Sequence, residues 1–319
     1  MTNSEHLTEF GGFAVTAWAP KPEASAKERY GGPFVHALGD PATTIHRIST
    51  DYDSEPSWTD LFRAFLAQSG VEHTQGLVVG AWQGDDSETT PGEVIEALVA
   101  AREKLPRLRV LFFGDIVMEE NEVSWIQQGD LSPLLSAYPH LTHLGIRGGE
   151  GLSLGTVRLP ELRELIVQAG GLSAEVVREV LSAELPNLEH LELYLGTDNY
   201  GATSAPDDLT PLLSAERFPK LNYLGVKNSD YQDAIAQMFA HAPVLERLEV
   251  LDLSMGVLTD EGGAALLGSQ SVRRLKKLDL SHHFLSEGLL VQLRALGDFV
   301  DLGDAQDPDD EWRFVALGE

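Results

Sequence analysis

Three short stretches carry the residue types that catalysis or metal binding would need. Residues 151–155 read GLSLG, the G-x-S-x-G spacing of a nucleophile elbow. That chemistry needs Ser153 on a tight strand-to-helix turn, with a His and an acid nearby. GTVRLPEL follows instead, with no room for a helix before the next strand segment begins at Leu162. The pattern also arises by chance in turns rich in Gly and Ser. The pairs His282-His283 and His140-x-x-His143 offer imidazoles. Metal ligands must converge and usually have a supporting acid. Adjacent side chains on a strand or turn point to opposite sides, and His140 lies at a strand entry with His143 within the strand, so both pairs read as solvated histidines. The run Asp304, Asp307, Asp309, Asp310 and Glu311 lacks the D-x-D-x-D-G spacing and distal Glu of a calcium loop. There is no phosphate-binding Gly loop with its Lys, and no HExxH. No catalytic residue, cofactor or metal is expected.

Bulk properties narrow the classes further. Asp and Glu number 50 against 23 Lys and Arg, a balance of −27. Such a surface repels phosphate backbones and anionic membranes, because nucleic-acid affinity rests on Lys and Arg contacts. Nor do aromatics alternate with basic residues as a single-strand binder requires. The charge serves solubility or, on a sharper reading, attraction to a basic protein partner. No cysteine is present, which excludes disulfides and thiol nucleophiles. No apolar run approaches the ~20 residues that cross a bilayer. MTNSEHLTEF has neither the basic nor the apolar region of a secretory signal. The expectation is a soluble, cytoplasmic protein.

The elements that position these residues come from a recurring phrase. DLSPLLSAYPHLTHLGIR at 130–147 returns as DLTPLLSAERFPKLNYLGVK at 208–227. Segments of the form L-x-x-L-x-apolar begin at Leu108, Leu141, Leu162, Leu188, Leu221, Leu248 and Leu275, in steps of 33, 21, 26, 33, 27 and 27 residues. Unequal steps of this size suit a solenoid whose outer segments vary. Within each segment the fourth and sixth residues are apolar and the fifth mostly is not, the alternation of a strand with one buried face. Helix starts lie between the strands. Thr90-Pro91, Ser132-Pro133 and Thr210-Pro211 each set a capping hydroxyl before a proline, and Ser173, Thr259 and Ser286 are further caps.

LDLSMGVLTDEGGAALL at 251–267 and LDLSHHFLSEGLL at 278–290 resemble leucine-rich repeats of the ribonuclease-inhibitor type. The resemblance covers roughly residues 70–304 and points to a bacterial branch of that superfamily. It implies an α/β fold: a right-handed horseshoe with a parallel concave sheet, outer helices and a cap at each end. The sequence departs from the family where an Asn ladder should stand. Ile116, Gly149, Gly170, Gly196, Ser229, Gly256 and His283 hold those places. The four glycines suit turns with positive φ, and such turns should be less uniform.

Residues 1–70 read as a cap fused to the array, 71–304 as repeats, and 305–319 as an acidic loop and edge strand. In the cap, 12–18 and 43–49 read as strands, 19–32 as a loop, and Trp58, Leu61, Phe62, Phe65 and Leu66 as a helix face. Residues 75–82 supply a first parallel strand, with Leu77 equivalent to Leu111. At the far end 299–302 reads as a degenerate strand and 312–317 as an edge strand.

The resemblance also implies which side chains face the concave surface. They are Val110, Phe112 and Gly114, then His143, Gly145 and Arg147, then Glu164, Ile166 and Gln168. His190, Glu192 and Tyr194 follow, then Tyr223, Gly225 and Lys227, then Val250, Asp252 and Ser254, and last Lys277, Asp279 and Ser281. Tyr and Arg anchor interfaces more often than most residues. The candidate partner-binding set is Phe112, His143, Arg147, Glu164, Gln168, His190, Glu192, Tyr194, Tyr223, Lys227, Asp252, Lys277 and Asp279. The expected function is a non-enzymatic protein-binding module. The alternative is a hydrolase-type enzyme with a site near the cap and first repeats, drawing on Ser153. Packing on neighbouring strands alone is the other reading of the aromatics, and a structural role is the third candidate function.

Overall fold

The computed structural model describes residues 4–20, 34–50, 56–83 and 89–318. Most of the loop expected over 19–32 lies outside the described residues. Among those described, twelve strands form one sheet in chain order. They are β1 (Glu9–Phe10), β2 (Phe13–Ala17), β3 (Thr44–Ile48), β4 (Gly76–Val79), β5 (Val110–Phe113) and β6 (His143–Arg147). Next come β7 (Glu164–Gln168), β8 (His190–Gly196), β9 (Tyr223–Ser229), β10 (Val250–Asp252), β11 (Lys277–Asp279) and β12 (Val300–Asp301). Only the β1–β2 hairpin is antiparallel; every later pair is parallel. All seven leucine segments fall on consecutive strands of this sheet. The parallel sheet already runs through β2 and β3, well before residue 71.

Leucine spacing sets the register. Leu77, Leu111, Leu144, Leu165, Leu191, Leu224, Leu251 and Leu278 are each the direct partner of the next. All eight are buried, and burying each is worth ~1.5–3 kcal/mol. A one-residue slip would turn a strand's leucines to the opposite face. On the leucine side lie the helices α1 (Trp58–Phe65), α2 (Pro91–Ala100), α3 (Ser132–Ala137), α4 (Ala174–Ser182), α5 (Gln232–Ala240), α6 (Asp260–Gly268) and α7 (Glu287–Arg294). Their apolar faces join the leucines in one core, with Trp58, Val94, Leu134, Val177, Ile235, Leu266 and Leu293 each at its centre. The short step between β6 and β7 carries no helix. An open α/β sheet in chain order, with helices packed on one face, is the arrangement a solenoid gives.

Three of the expected caps work as read. Thr90 Oγ1 accepts from Glu93 N at 3.3 Å, and Glu93 Oε2 accepts from Thr90 N at 2.8 Å. Ser173 accepts from Val176 N, and Thr259 from Glu261 N. The other three differ because an acid competes. Asp130 Oδ1 takes the Ser132 N–H at 2.9 Å, and α3 begins at Ser132 itself. A 3-10 helix starts at Pro206, four residues before Thr210, where Asp208 accepts from Ala205 N at 3.0 Å. Ser286 spends its hydroxyl on Asp260 Oδ2 at 2.6 Å.

That last contact is one of a series. Asp233, at the start of α5, accepts from Thr259 N at 2.8 Å, Thr259 Oγ1 at 2.5 Å and Gly262 N at 3.0 Å. Asp260, at the start of α6, does the same for Ser286 N at 2.8 Å. Each acid satisfies free donors at the N-terminus of the next coil's helix. These acids tie coil to coil. His283 ties coils as well. Its Nδ1 accepts from Leu285 N at 3.3 Å, and its Nε2 meets Leu302 O of the next turn at 3.4 Å.

The turns differ from expectation by one residue. Of Gly149, Gly170, Gly196 and Gly256, only Gly196 has positive φ. A Cβ there would lie 1.7 Å from Gly170 O, so backbone crowding demands glycine as well. In later coils the left-handed residue comes one position earlier and is not glycine: Asn228 (φ 57°), Met255 (φ 68°) and His282 (φ 59°).

Residues 312–317 form no strand; β12 is the edge. The segment instead turns back across the strand ends. No helix among the described residues is long and apolar enough to cross a membrane.

Candidate binding surface

Alternation places the candidate residues on the sheet face opposite the helices. A second apolar cluster lies there, separate from the leucine core, formed by Phe10, Ile45, Val78, Val110, Phe112, Val123, Ile166, Tyr194, Met255 and Leu317. The candidates therefore share a face. Solvent reaches them unequally. Phe112, Arg147, Gln168, Glu192, Tyr194, Lys227 and Asp252 are buried, with Arg147 at 2% and Tyr194 at 1% exposure. His143, Glu164, His190, Tyr223 and Asp279 are half-buried, and Lys277 is exposed.

The buried members form a charged centre across β8, β9 and β10. Lys227 Nζ lies 2.5 Å from Asp252 Oδ2 and 3.4 Å from Glu192 Oε2, and 4.9 Å from the centre of the Tyr194 ring. Tyr223 donates its hydroxyl to Asp252 Oδ2 at 2.8 Å, and Ser254 N donates to Oδ1 at 3.0 Å. His190 Nε2 meets Glu192 Oε1 at 2.8 Å while its ring stacks on Tyr223 at 3.8 Å. Two carboxylates thus surround one ammonium, and neutral donors take up the remaining negative charge. Burial opposes ionisation of Glu192, but His190 and Lys227 outweigh it and hold its pKa at about 2. Asp252 is lowered in the same way: Lys227 and Ser254 overcome its burial. Burial likewise opposes charge on Lys227, yet its neighbours Tyr194, Glu192 and Asp252 raise its pKa. Among the described residues Glu164 has no such partner in bonding distance, and burial pushes its pKa up. Burial lowers that of His143.

The N-terminal segment covers the other end of the face. Phe10 meets Phe112 edge to face at 5.2 Å. Asp115, just past β5 and fully buried, accepts from Leu7 N at 3.3 Å through both oxygens. Arg147 lies 3.4 Å from it, Arg47 3.6 Å and His6 3.4 Å. Arg147 also donates to Gln168 Oε1 at 2.8 Å and to Ile116 O at 3.0 Å, and its guanidinium sits 5.6 Å from the Phe112 ring centre. Arg147 and Gln168 are thus engaged within the chain.

Residues 314–318 cover the strand ends. Ala316 N donates to Met255 O at 2.8 Å, and Leu317 N to Asn228 Oδ1 at 2.8 Å. Asn228 Nδ2 returns a bond to Leu317 O at 2.6 Å, and Ser124 Oγ donates to Gly318 O. Asp115, Arg47 and Asn228 were not among the expected site residues. Each works through a partner far away in sequence, so no local pattern marks it.

Among the described residues, what remains open on β6 to β10 is the row at the strand starts, and on β11 Asp279 and Ser281 stay half-buried beside Lys277. His143, Glu164, His190, Tyr223, Val250 and Lys277 are direct partners across six strands. At ~4.8 Å per strand the row spans about 24 Å.

The residues with catalytic or metal-binding potential stand elsewhere. Ser153 donates to Glu179 Oε1 at 3.0 Å, and Glu179 also accepts from Leu154 N at 2.8 Å and Gly155 N at 2.9 Å. The serine belongs to a turn fastened by an acid. His140 pairs with Glu161 at 2.6 Å, whereas His143 turns to Thr142 Oγ1 at 2.9 Å. His282 meets Asp304 and Phe314 O, while His283 faces Leu302 O. Among the described residues no three His, Asp or Glu are grouped to hold a metal ion.

No family model matches the chain, and no curated protein matches it. Among solved structures it is similar to a Bacteroides fragilis protein known from a crystal structure, at 34% identity over 81% of this chain and 73% of that one, with a TM-score of 0.75. An internalin from Listeria monocytogenes matches at 16% identity over 85% of this chain and 59% of that one, with a TM-score of 0.33, too distant a likeness to bear on fold or function. Shared sequence and shared backbone over most of both chains place this protein in the family of the Bacteroides fragilis protein.

Proposed function

We propose that this chain is a right-handed, leucine-rich-repeat horseshoe, capped at both ends, that acts in the cytoplasm as a non-enzymatic protein-binding module. Its partner lies along the row His143, Glu164, His190, Tyr223, Val250 and Lys277. The observation that carries this reading is the contrast within one face. The positions further along β5 to β10 are closed by the chain itself, while this row stays open on the rigid sheet. Rigid, partly exposed aromatic and polar side chains contribute contact area at little entropic cost. The −27 charge favours a basic partner through long-range steering.

The test compares two baits in capture from the native host: wild type, and Glu164→Ala/Val250→Glu/Lys277→Glu. None of these three side chains sits in the leucine core. The proposal predicts a partner recovered by wild type and lost with the folded triple variant. Equal recovery, or no specific partner with wild type, contradicts it. A second reading as a hydrolase lacks support at Ser153, whose hydroxyl is bonded to Glu179.

A further inference from the structure

Residues 314–318 lie across the strand ends as a bound peptide lies on a receptor, with the backbone bending at Ala316 and Leu317. Contact is made chiefly to main-chain groups: Phe314 O meets His282 Nε2 at 3.0 Å, Ala316 N bonds Met255 O, and Leu317 bonds Asn228 through both its N–H and its carbonyl. Ser124 holds Gly318 O. Side chains alternate. Val315 and Leu317 are 7% and 4% exposed, while Phe314 and Ala316 between them face solvent. Main-chain bonds with pockets for alternate side chains are how receptors read extended peptides.

The seat itself is strained. Asn228, Met255 and His282 are spaced 27 residues apart, one per coil, and all three hold left-handed backbone. Met255 is the least usual of the three there, since Asn and His enter this region more readily than other side chains. All three touch the segment. Strained residues persist where ligands are clamped, and here three successive coils place theirs on one track. Next to Gly318 the track opens into a groove of about 650 Å³ lined by Ser124, Trp125, Glu150, Glu175 and Tyr200. Trp125 is 63% exposed there.

We infer that this track is a peptide-recognition site, occupied in this chain by its own residues 314–318, and that a partner protein binds it by exchanging in a segment of the pattern apolar-x-apolar-Gly. The inference rests on the reading of the chain as a protein-binding module but uses a different surface from the strand-start row. A longer partner segment has room to continue into the Trp125 groove.

The test uses the full chain carrying Leu317→Asp, which unseats the segment without altering the track. The probe is a fluorescent peptide of residues 310–319, DEWRFVALGE. The folded variant should bind it at least about tenfold more tightly than wild type, whose track is filled. Adding Asn228→Ala, or using a peptide with Asp in place of Leu317, should remove that gain. Ala316→Pro, which deletes the donor to Met255 O and restricts the backbone at residues 315 and 316, is the second variant and should also bind the peptide. No gain in either folded variant overturns the inference. So does unfolding of both, since the segment would then be structural closure. Dimerisation of wild type that Leu317→Asp abolishes would make the occupant a second copy and contradict the partner reading. The Glu164, Val250 and Lys277 substitutions should leave peptide binding unchanged, so failure of the row and failure of the track are distinguishable.

Discussion

Asn228 grips the backbone of Leu317 with both atoms of its amide, Nδ2 at 2.6 Å from the carbonyl oxygen and Oδ1 at 2.8 Å from the nitrogen. The two residues are 89 apart in sequence, and Asn228 is fully buried. Asn228→Ala leaves a buried N–H and carbonyl unpaired and keeps a Cβ at φ 57°. We expect a loss of about 2–4 kcal/mol in urea denaturation. Asn228→Gly should recover about 1 kcal/mol of that, the share due to strain. Equal stability of the two variants would refute the strain component.

Lys227 is the one ammonium between Glu192 and Asp252. Lys227→Met keeps the bulk and strands two buried carboxylates. Breaking such a pair costs about 3–5 kcal/mol, read as a lowered denaturation midpoint. A loss under about 1 kcal/mol would show that the carboxylates find water instead.

Acid should act through the same centre. Glu192 has a folded pKa of about 2, below its ordinary value of 4.5. Its contribution is therefore fully present above pH ~4.5 and disappears as pH falls toward 2. Asp252 acts in the same direction. Glu192→Gln should cost on the order of 3 kcal/mol at pH 7 and flatten the stability curve below pH ~4.5. Glu164 has the opposite sign. Its raised pKa makes ionisation unfavourable to folding at neutral pH. Glu164→Gln should raise the melting temperature at pH 7, and the gain should vanish below the unfolded carboxyl pKa. Parallel pH profiles for the two variants would contradict this assignment.

Asp233 serves three donors of the next coil's helix start. Asp233→Ala should cost about 1–2 kcal/mol. Exchange of the α6 amides should quicken first. Uniform destabilisation of all helices would argue against a local staple.

Much of the fold follows from local sequence. Leu111, Leu144, Leu165 and their successors repeat with the period of a half-buried strand, and one buried face leaves a single register. Thr90 and Ser173 cap where they stand because no nearer acceptor competes; Ser132 fails because Asp130 reaches its amide first. In the later coils the left-handed residue falls one place before Ser229, Gly256 and His283, at Asn228, Met255 and His282. For the candidate surface, period two already assigns Tyr194, Lys227 and Asp252 to one face. It carries no information on what covers that face. Leu7 reaches Asp115 from 108 residues away, and Leu317 reaches Asn228 across 89. Such long-range closure turns expected anchors such as Arg147 into interior groups.

Native-state hydrogen exchange at Leu7, Ala316 and Leu317 tests most directly whether the chain closes its own helix-free face. If it does, these three amides exchange at least about a hundredfold more slowly than an exposed loop amide such as that of Glu311. Exchange of all three at the rate of Glu311 would mean that both segments lie free and that Tyr194 and Phe112 meet solvent after all.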